Sequence, residues 1–418
     1  MKINTGNGFI PLIAMAGIWS VSALTALPGL AVSPILGDLT NIFPKASQME
    51  IQMLTSLPSL LILPLILLSG YLSQKVNFYK LLISGLIFFA VAGVLYLLCN
   101  KMWQLVVVSA FLGIGAGLII PLSTGLISIF FYREVRVRQF GYSSAISNIM
   151  VVLATFVTGY LATINWKLPF LVYLLPFISI ILVIPLKKYW PKECADNQKD
   201  TLLPDNVSID IPKPPNSTPH IDFITIGKYG FDIRNLIKLM AFYGIITFIV
   251  VSIIFYLPFL VKSYGMSEED SGNMISLFFL AMMLPGFFLE KIIKILKSKL
   301  VLYMLFIITV GFLNIIFIHK SVFIMLGVLL VGLGYGTIQP ICYNKAVELS
   351  LKRKETVALA LVMIMNYFAI LIYPIIMDWV KELFNKTDIF ALQISTILTI
   401  LVIIILTFFK KYLFFLEN

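Results

Sequence analysis

The stretch Gly113–Pro121 reads GIGAGLIIP, and the stretch Gly332–Pro340, 219 residues further on, reads GLGYGTIQP. Both fit the pattern G-x-G-x-G-x-x-x-P. The members of the pattern are Gly113, Gly115, Gly117 and Pro121 in the first copy and Gly332, Gly334, Gly336 and Pro340 in the second. Two other features recur at nearly the same offset: GYLSQK from Gly70 returns as GFFLEK from Gly286, and Asn148 corresponds to Asn366. Such a repeat predicts two halves of similar structure in tandem.

The composition decides what kind of structure is repeated. The chain has 418 residues, of which 60% are hydrophobic and only 12% charged, whereas soluble domains carry about 45–50% apolar and about 25% charged residues. This excludes a soluble enzyme, a secreted disulfide scaffold and a disordered chain. A membrane-spanning helix needs about 20 apolar residues, and twelve such runs are present. They lie at roughly 9–36, 49–73, 79–99, 102–131, 139–164, 168–186, 235–262, 271–290, 299–318, 321–347, 355–380 and 389–409.

The predicted fold is therefore an all-α integral membrane protein of twelve transmembrane helices, arranged as two pseudo-symmetric six-helix bundles. We expect the first bundle at residues 1–187, a proline-rich linker at 188–233 and the second bundle at 234–418. The repeated glycines leave two sides of their helix without side chains, so neighbouring backbones can approach closely. The proline that follows permits a bend. The pattern is compatible with tight packing alone. It is also compatible with a helix that moves when the protein changes conformation.

The net charge of +11 has a topological explanation. With twelve spans, alternate loops lie on one side, and 24 of the 31 basic residues fall on the side that holds both termini and the linker. The positive-inside rule makes that side cytoplasmic. The charge excess is thus a topology label and predicts no nucleic-acid partner.

Several chemistries have no support in the residues. The three cysteines, Cys99, Cys194 and Cys342, are scattered, and the two histidines, His220 and His319, lie far apart in sequence, so we expect no disulfide framework, metal site or cofactor. No P-loop pattern is present, which argues against ATP hydrolysis. We therefore do not expect an enzyme.

The loop between the second and third spans carries a known family pattern in part. The pattern G-x-x-x-D-[RK]-x-G-[RK]-[RK] is matched by Gly70 and Lys75, with Gln74 in place of the acid and Asn77 in place of the glycine. The copy in the second half keeps a glycine, an acid and basic residues, at Gly286, Glu290, Lys291 and Lys294.

With these motifs the chain resembles the major facilitator superfamily over nearly its whole length. The stretch GDLTNIFPKAS (37–47) resembles the drug-exporter-like bacterial members of that family. The resemblance implies a transporter of the bacterial plasma membrane and a gating latch at Gly70, Lys75, Gly286, Glu290 and Lys291. Two exporter marks are missing. Ser109 stands where exporters commonly have arginine, and of the span-five antiporter pattern only Gly159 remains.

Two acids are candidates for proton coupling. Asp38 closes the first span and Glu50 opens the second, both near the outer face. A partly buried carboxylate has a raised pKa, as a proton carrier near neutral pH requires. We prefer Glu50, with Asp38 second. The alternative is that both are solvated loop acids.

Neutral polar residues inside the spans are candidates for lining a substrate cavity. An unpaired amide in hydrocarbon is costly, so Asn148 and Asn366 should face protein or water. Gln339 and Tyr343 lie four residues apart on one helix face, and Tyr367 follows Asn366. Hydrogen bonding between helices would explain these residues equally well. Lys345 and Glu348 lie three residues apart at the cytoplasmic end of the tenth span. We expect them to form either a contact that gates the transporter or an ion pair with no such role.

We expect a secondary transporter that moves a small organic solute by alternating access, and prefer proton-coupled export of amphipathic compounds by a monomer. Nutrient or metabolite uptake by symport or uniport is the alternative. A lipid-modifying membrane enzyme and a sensor that has lost transport are more distant possibilities.

Overall fold

The computed structural model describes residues 2–6, 8–30, 39, 42–46, 48–162, 164–190, 230–266, 268–351, 354–384 and 389–408. We number the helices of the twelve spans α1 to α12. In the first half they are α1 Leu12–Leu24, α2 Gln48–Lys75, α3 Phe78–Leu98, α4 Met102–Phe130, α5 Arg133–Ala162 and α6 Leu175–Val183. In the second half they are α7 Ile233–Val250, α8 Glu268–Leu296, α9 Leu300–Phe317, α10 Ser321–Glu348, α11 Glu355–Phe384 and α12 Ile389–Phe408.

Some spans consist of more than one helical segment. A one-turn helix, Leu27–Leu30, follows α1, and Ser252–Ser263 continues α7 after a break at Val251. Short 3₁₀ segments flank α6, so that its span runs over Leu168–Tyr189. Within the described residues, eleven spans are long and apolar enough to cross a membrane, whereas α1 is a shorter apolar helix.

The prolines of the repeat lie inside continuous helices. Pro121 is buried within α4 and Pro340 within α10. Each helix is 28 or 29 residues long, about 42 Å at 1.5 Å per residue, which exceeds the apolar thickness of a bilayer, about 30 Å. Such helices have to tilt or extend beyond the hydrocarbon.

The middle glycine of each repeat lets its helix pack closely against the preceding helix of the same half. A Cβ atom on Gly115 would lie 2.6 Å from the backbone nitrogen of Phe89 in α3, and one on Gly334 would lie 2.5 Å from Cγ1 of Ile308 in α9. No real Cβ atom tolerates such distances. The two halves therefore use corresponding glycines for corresponding contacts, α4 on α3 and α10 on α9.

The outer glycines of each repeat face a different neighbour. A Cβ atom on Gly113 would lie 2.8 Å from Cα of Pro58 in α2, and one on Gly332 would lie 2.7 Å from the carbonyl oxygen of Phe278 in α8. Gly117 and Gly336 make contacts of the same kind with Leu65 in α2 and with Met282 in α8. Because glycines two residues apart point to different sides, α4 and α10 each pack closely between two helices of their own half.

The segment that leads into each half is held by backbone hydrogen bonds to the loop after the fourth helix of that half. In the first half the amide of Tyr132 donates to the carbonyl of Thr5 at 3.0 Å. In the second half the amide of Leu351 donates to the carbonyl of Gly230, and the amide of Asp232 to that of Leu349, both at 2.9 Å. These contacts extend the pseudo-symmetry to residues whose side chains do not correspond.

The first lead-in segment contains a β-hairpin that the prediction of helical spans does not include. Strands β1 (Lys2–Asn4) and β2 (Phe9–Pro11) form an antiparallel hairpin in which Ile3 faces Ile10. Gly6 turns the chain with a φ of +88°, a conformation that glycine adopts without steric cost. For this reason α1 begins at Leu12 and not near residue 9.

Candidate functional site

A cavity of about 140 Å³ lies between the two halves. Its lining comes from both halves and consists of hydroxyl, amide, aromatic and thioether side chains. The lining residues are Thr25, Ala26, Ile120, Ser123, Thr124, Phe140, Ser143, Ser144, Ser147 and Asn148 from the first half, and Met282, Gln339, Tyr343, Met363, Asn366 and Tyr367 from the second. All five residues that the sequence suggests for a substrate cavity, Asn148, Asn366, Tyr367, Gln339 and Tyr343, line this one space.

The depth of the cavity follows from helix geometry. Asn148 lies 15 residues after the start of α5 and Asn366 lies 11 residues after the start of α11. At 1.5 Å per residue these positions are about 22 and 16 Å along their helices. Since the apolar core of a bilayer is about 30 Å thick, the cavity lies near its middle.

The wall from the first half is built of serine and threonine hydroxyls on α1, α4 and α5. Ser143 and Ser147, one turn apart on α5, point to the same residue of α1: Ser143 Oγ donates to Ser22 Oγ at 2.9 Å and Ser147 Oγ to the Ser22 carbonyl at 2.7 Å. The hydroxyls of Thr25 and Ser147 lie 3.1 Å apart. These bonds satisfy the hydroxyl donors inside the protein and leave acceptor lone pairs toward the cavity.

The lining residues Gln339, Tyr343 and Asn366 of the second half are hydrogen-bonded to two tyrosines outside the lining, Tyr243 and Tyr335. The hydroxyls of Tyr243 and Tyr343 lie 3.1 Å apart, and Gln339 Nε2 donates to both at 3.2 Å. Tyr335 donates to Asn366 Oδ1 at 3.2 Å. Tyr243 and Tyr335 were not candidates from the sequence, because a tyrosine in an apolar span carries no positional signal by itself.

Hydrogen bonds also cross from wall to wall. Ser144 Oγ of α5 donates to Gln339 Oε1 of α10 at 2.9 Å. Beside it, the hydroxyl of Thr124 lies 3.8 Å from the sulfur of Met363 in α11. The cavity is thus held between halves that touch through weak polar contacts.

The preferred candidate for proton coupling, Glu50, is not among the described residues of the cavity lining. Glu50 is half-buried in the first turn of α2, at the opposite end of that helix from Lys75. Asp38 lies outside the described residues. The described lining contains no Asp, Glu, Lys, Arg or His, and the described residues hold no cluster of three His, Cys, Asp or Glu side chains that would suit a metal ion.

The halves meet closely at one end, which we call the basic end: there α2, α8 and α10 end and α5 and α11 begin. A Cβ atom on Gly70 of α2 would lie 2.8 Å from the Cβ of Ala360 in α11. A Cβ atom on Gly141 of α5 would lie 2.7 Å from the carbonyl oxygen of Gly286 in α8. Both glycines named for the latch, Gly70 and Gly286, thus lie at contacts between the halves.

An ion-pair cluster covers the contact between α5 and α8. Glu290 of α8 lies 2.7 Å from Lys294 on its own helix and 3.5 Å from Arg138 of α5. The side chains of Arg138 and Glu290 are 38% and 32% exposed, so the pair contributes about 0–1 kcal/mol. Lys75 instead lies 4.5 Å from the ring centroid of Tyr71 on its own helix, and Lys291 is exposed.

A second polar cluster joins α5 to α10. Arg136 Nε donates to Asn344 Oδ1 at 3.0 Å, and Asn344 Nδ2 donates to Glu348 Oε1 at 2.6 Å. Lys345 Nζ lies 3.1 Å from the other oxygen of Glu348. The sequence suggests the pair Lys345 and Glu348. It does not suggest Asn344 and Arg136, which connect Glu348 to the first half.

The comparisons with known proteins agree with this architecture. The sequence matches the profile of the Major Facilitator Superfamily over residues 9–374 and again over 239–413. The human organic anion transporter MFSD10 (TETRAN) has a similar structure with a TM-score of 0.72 and 15% identity, over 94% of this chain and 99% of that one. The proton:xylose symporter XylE follows with a TM-score of 0.71 and 13% identity, over 95% of each chain. At these identities the likeness concerns the fold alone.

Curated relatives match over shorter stretches. The chain is 30% identical over 124 residues to the quinolone resistance protein NorA of Staphylococcus aureus, which covers 28% of this chain and 32% of that protein. It is 29% identical over 157 residues to the multidrug transporter protein MdtP of Bacillus subtilis, covering 37% and 28%. The chain therefore spans about a third of the length of the curated relatives that it matches. The prediction of an all-α membrane protein with two six-helix bundles is confirmed, and the chain is a multi-pass membrane protein that belongs to the Major Facilitator Superfamily.

Proposed function

We propose that this protein is a secondary transporter that moves a small organic solute by alternating access through the cavity between its halves. The observation that carries the proposal is that this cavity is lined by both halves near mid-membrane depth, while the halves close on each other at the basic end. A solute in this position is exchanged between the two sides of the membrane when the halves rock about it.

The contacts at the basic end are suited to repeated breaking. They include glycine contacts between helix backbones, partly exposed ion pairs that contribute about 0–1 kcal/mol, and the hydrogen bond from Arg136 to Asn344, which is worth about 1.5–3 kcal/mol because one partner is charged. Each of these contacts is worth at most a few kcal/mol, whereas an extensive interface of large interlocked side chains would cost more to open. This supports a mobile interface between the halves.

The preferred mode is export of amphipathic compounds, driven by protons that enter. The names of the bacterial relatives, which refer to quinolone resistance and multidrug transport, support this direction, and so does a lining that mixes hydroxyls with methionine and aromatic side chains. Glu50 is the proposed proton carrier, with Asp38 second. The working form is a monomer in the bacterial plasma membrane, with both termini and the basic end in the cytoplasm.

One observation keeps uptake, including uniport, as a second candidate. The described lining offers no carboxylate that a proton and a solute would share, and uniport of an uncharged solute needs none. Coupling by Glu50 would act through the rocking of α2 and not by direct competition in the cavity.

The test uses the full chain in proteoliposomes with an imposed proton gradient, a lumenal pH-sensitive dye and a panel of amphipathic compounds. Proton-coupled export predicts substrate-dependent dissipation of the gradient, lost in Glu50→Gln and weakened in Asp38→Asn. Glu382→Gln, which changes an exposed acid in the last turn of α11, is the matched control and should behave like the wild type. Full proton flux in both Glu50→Gln and Asp38→Asn contradicts the coupling assignment. Solute flux without proton movement in the wild type favours uniport.

A further inference from the structure

The charge of the solute is constrained by the cavity. Its described lining has no acidic, basic or imidazole side chain, and the hydroxyls of Ser143 and Ser147 already donate to protein groups. A charged solute that enters leaves its hydration shell and meets no opposite charge, which is strongly unfavourable near the middle of a membrane protein. The site therefore discriminates against ions of either sign.

Asn148 shows what the cavity is equipped to bind. Its side chain is only 6% exposed and lines the cavity. Nδ2 donates one hydrogen bond, to the carbonyl of Ser144 at 2.9 Å. An amide has two donors and an acceptor oxygen with two lone pairs, so Oδ1 and the second N–H of Asn148 are without a partner in the described part of the chain. Buried polar groups are normally paired, and here the partner has to come from the cavity.

The opposite half carries a corresponding amide. Asn366 Oδ1 accepts from Tyr335 at 3.2 Å, and its Nδ2 donates to no group among the described residues. The neighbouring Tyr367 also lines the cavity, and its hydroxyl has no hydrogen-bond partner there. Each half therefore offers unused hydrogen-bonding groups, with an acceptor on Asn148 and donors on both sides.

We propose that the transported solute, on the basis of the function proposed above, is an uncharged molecule with a flat apolar body and a carboxamide-type edge held by Asn148 and Asn366. A carboxamide places an acceptor oxygen beside N–H donors and so matches the unused groups of a side-chain amide. Met282, Met363 and Phe140 supply the apolar surface for the body of the solute. A volume of about 140 Å³ is below the range of about 300–1,000 Å³ for drug-sized pockets, which favours a single-ring solute.

The charge rule is tested with three probes of one shape: benzamide, the benzamidinium ion and benzoate, which share a ring and a planar head group and are neutral, cationic and anionic at pH 7. Binding to the full chain in lipid nanodiscs is measured by saturation-transfer NMR, with competition among the three. We expect benzamide to bind at least tenfold more tightly than either ion. Equal or tighter binding of one of the ions overturns the proposal, and so does the lack of saturable binding of all three at millimolar concentration.

The location is tested by a change of one atom. Asn148→Asp keeps the side-chain volume and introduces a carboxylate, so the order should reverse, with benzamidinium at least tenfold ahead of benzamide. The matched control is Asn165→Asp in an exposed loop, where Oδ1 accepts from the backbone of Lys167 at 2.9 Å and the wild-type order should persist. An unchanged order in Asn148→Asp refutes the assignment. If that variant nevertheless moves other solutes in proteoliposomes, the proposed transport stands and only the solute class falls.

Discussion

A single methyl group at Gly141 should force the basic end of the protein open. Gly141 of α5 faces Gly286 of α8, and a Cβ atom at position 141 would lie 2.7 Å from the Gly286 carbonyl oxygen and 3.3 Å from its Cα. Ordinary contact begins at 3.4 Å, so in Gly141→Ala the helices have to separate locally by about 0.7 Å. The obstacle is backbone, which has no rotamer to change.

The cost of this strain falls only on the state in which α5 and α8 touch. Overpacking a close contact costs about 1–3 kcal/mol, and each 1.4 kcal/mol changes an equilibrium constant tenfold. The ratio of the open to the closed basic end should therefore rise about 5- to 150-fold. Gly159→Ala is the matched control because it lies on the same helix and its added Cβ meets no atom within 4 Å.

The assay is the distance distribution between spin labels at Glu134 on α5 and Ile295 on α8, both exposed at the basic end, in lipid nanodiscs. Gly141→Ala should transfer population to longer distances, while Gly159→Ala should reproduce the wild-type distribution. A wild-type distribution in Gly141→Ala would refute the claim that this glycine contact closes the molecule. The same shift in both variants would refute the claim that the contact is local.

Two further predictions concern contacts of other kinds. Arg136→Met removes the donor to Asn344 across the halves. Since hydrogen bonds to charged groups are worth about 1.5–3 kcal/mol, the same spin labels should report an open population raised about tenfold or more. Arg133→Met, at an exposed position, is the control. Gly115→Ala places a methyl group against the Phe89 backbone within one half, so it should lower the thermal unfolding midpoint by several degrees without moving the labels. A shifted distance distribution together with an unchanged midpoint would contradict that separation.

The repeated motif was informative from the sequence because glycine spacing has a steric meaning. Three glycines at two-residue intervals have to present bare backbone on different sides of a helix, and Gly113 and Gly115 contact α2 and α3 accordingly. The amides were informative for an energetic reason: Asn148 and Asn366 cannot face lipid without cost, and both line the central cavity.

Other parts of the site carry no such signal. Ser22, Ser143 and Ser147 join two helices, but serines satisfy their hydroxyls within a helix so easily that their positions in a span predict nothing. Arg136 lies in a basic run that reads as a topology label, and only the packing of α5 on α10 reveals its bond to Asn344. Partners distant in sequence require the structure.

The backbone bonds that hold the second lead-in segment have a practical consequence for protein engineering. Since Gly230 and Asp232 pair with Leu351 and Leu349 through main-chain atoms, a reporter or crystallisation partner inserted between the halves has to end before residue 230. An insertion placed later would pull on the loop into α11 and change the equilibrium that it was meant to observe. Tension applied to the chain just before residue 230 would pass through the same backbone bonds to the loop that leads into α11.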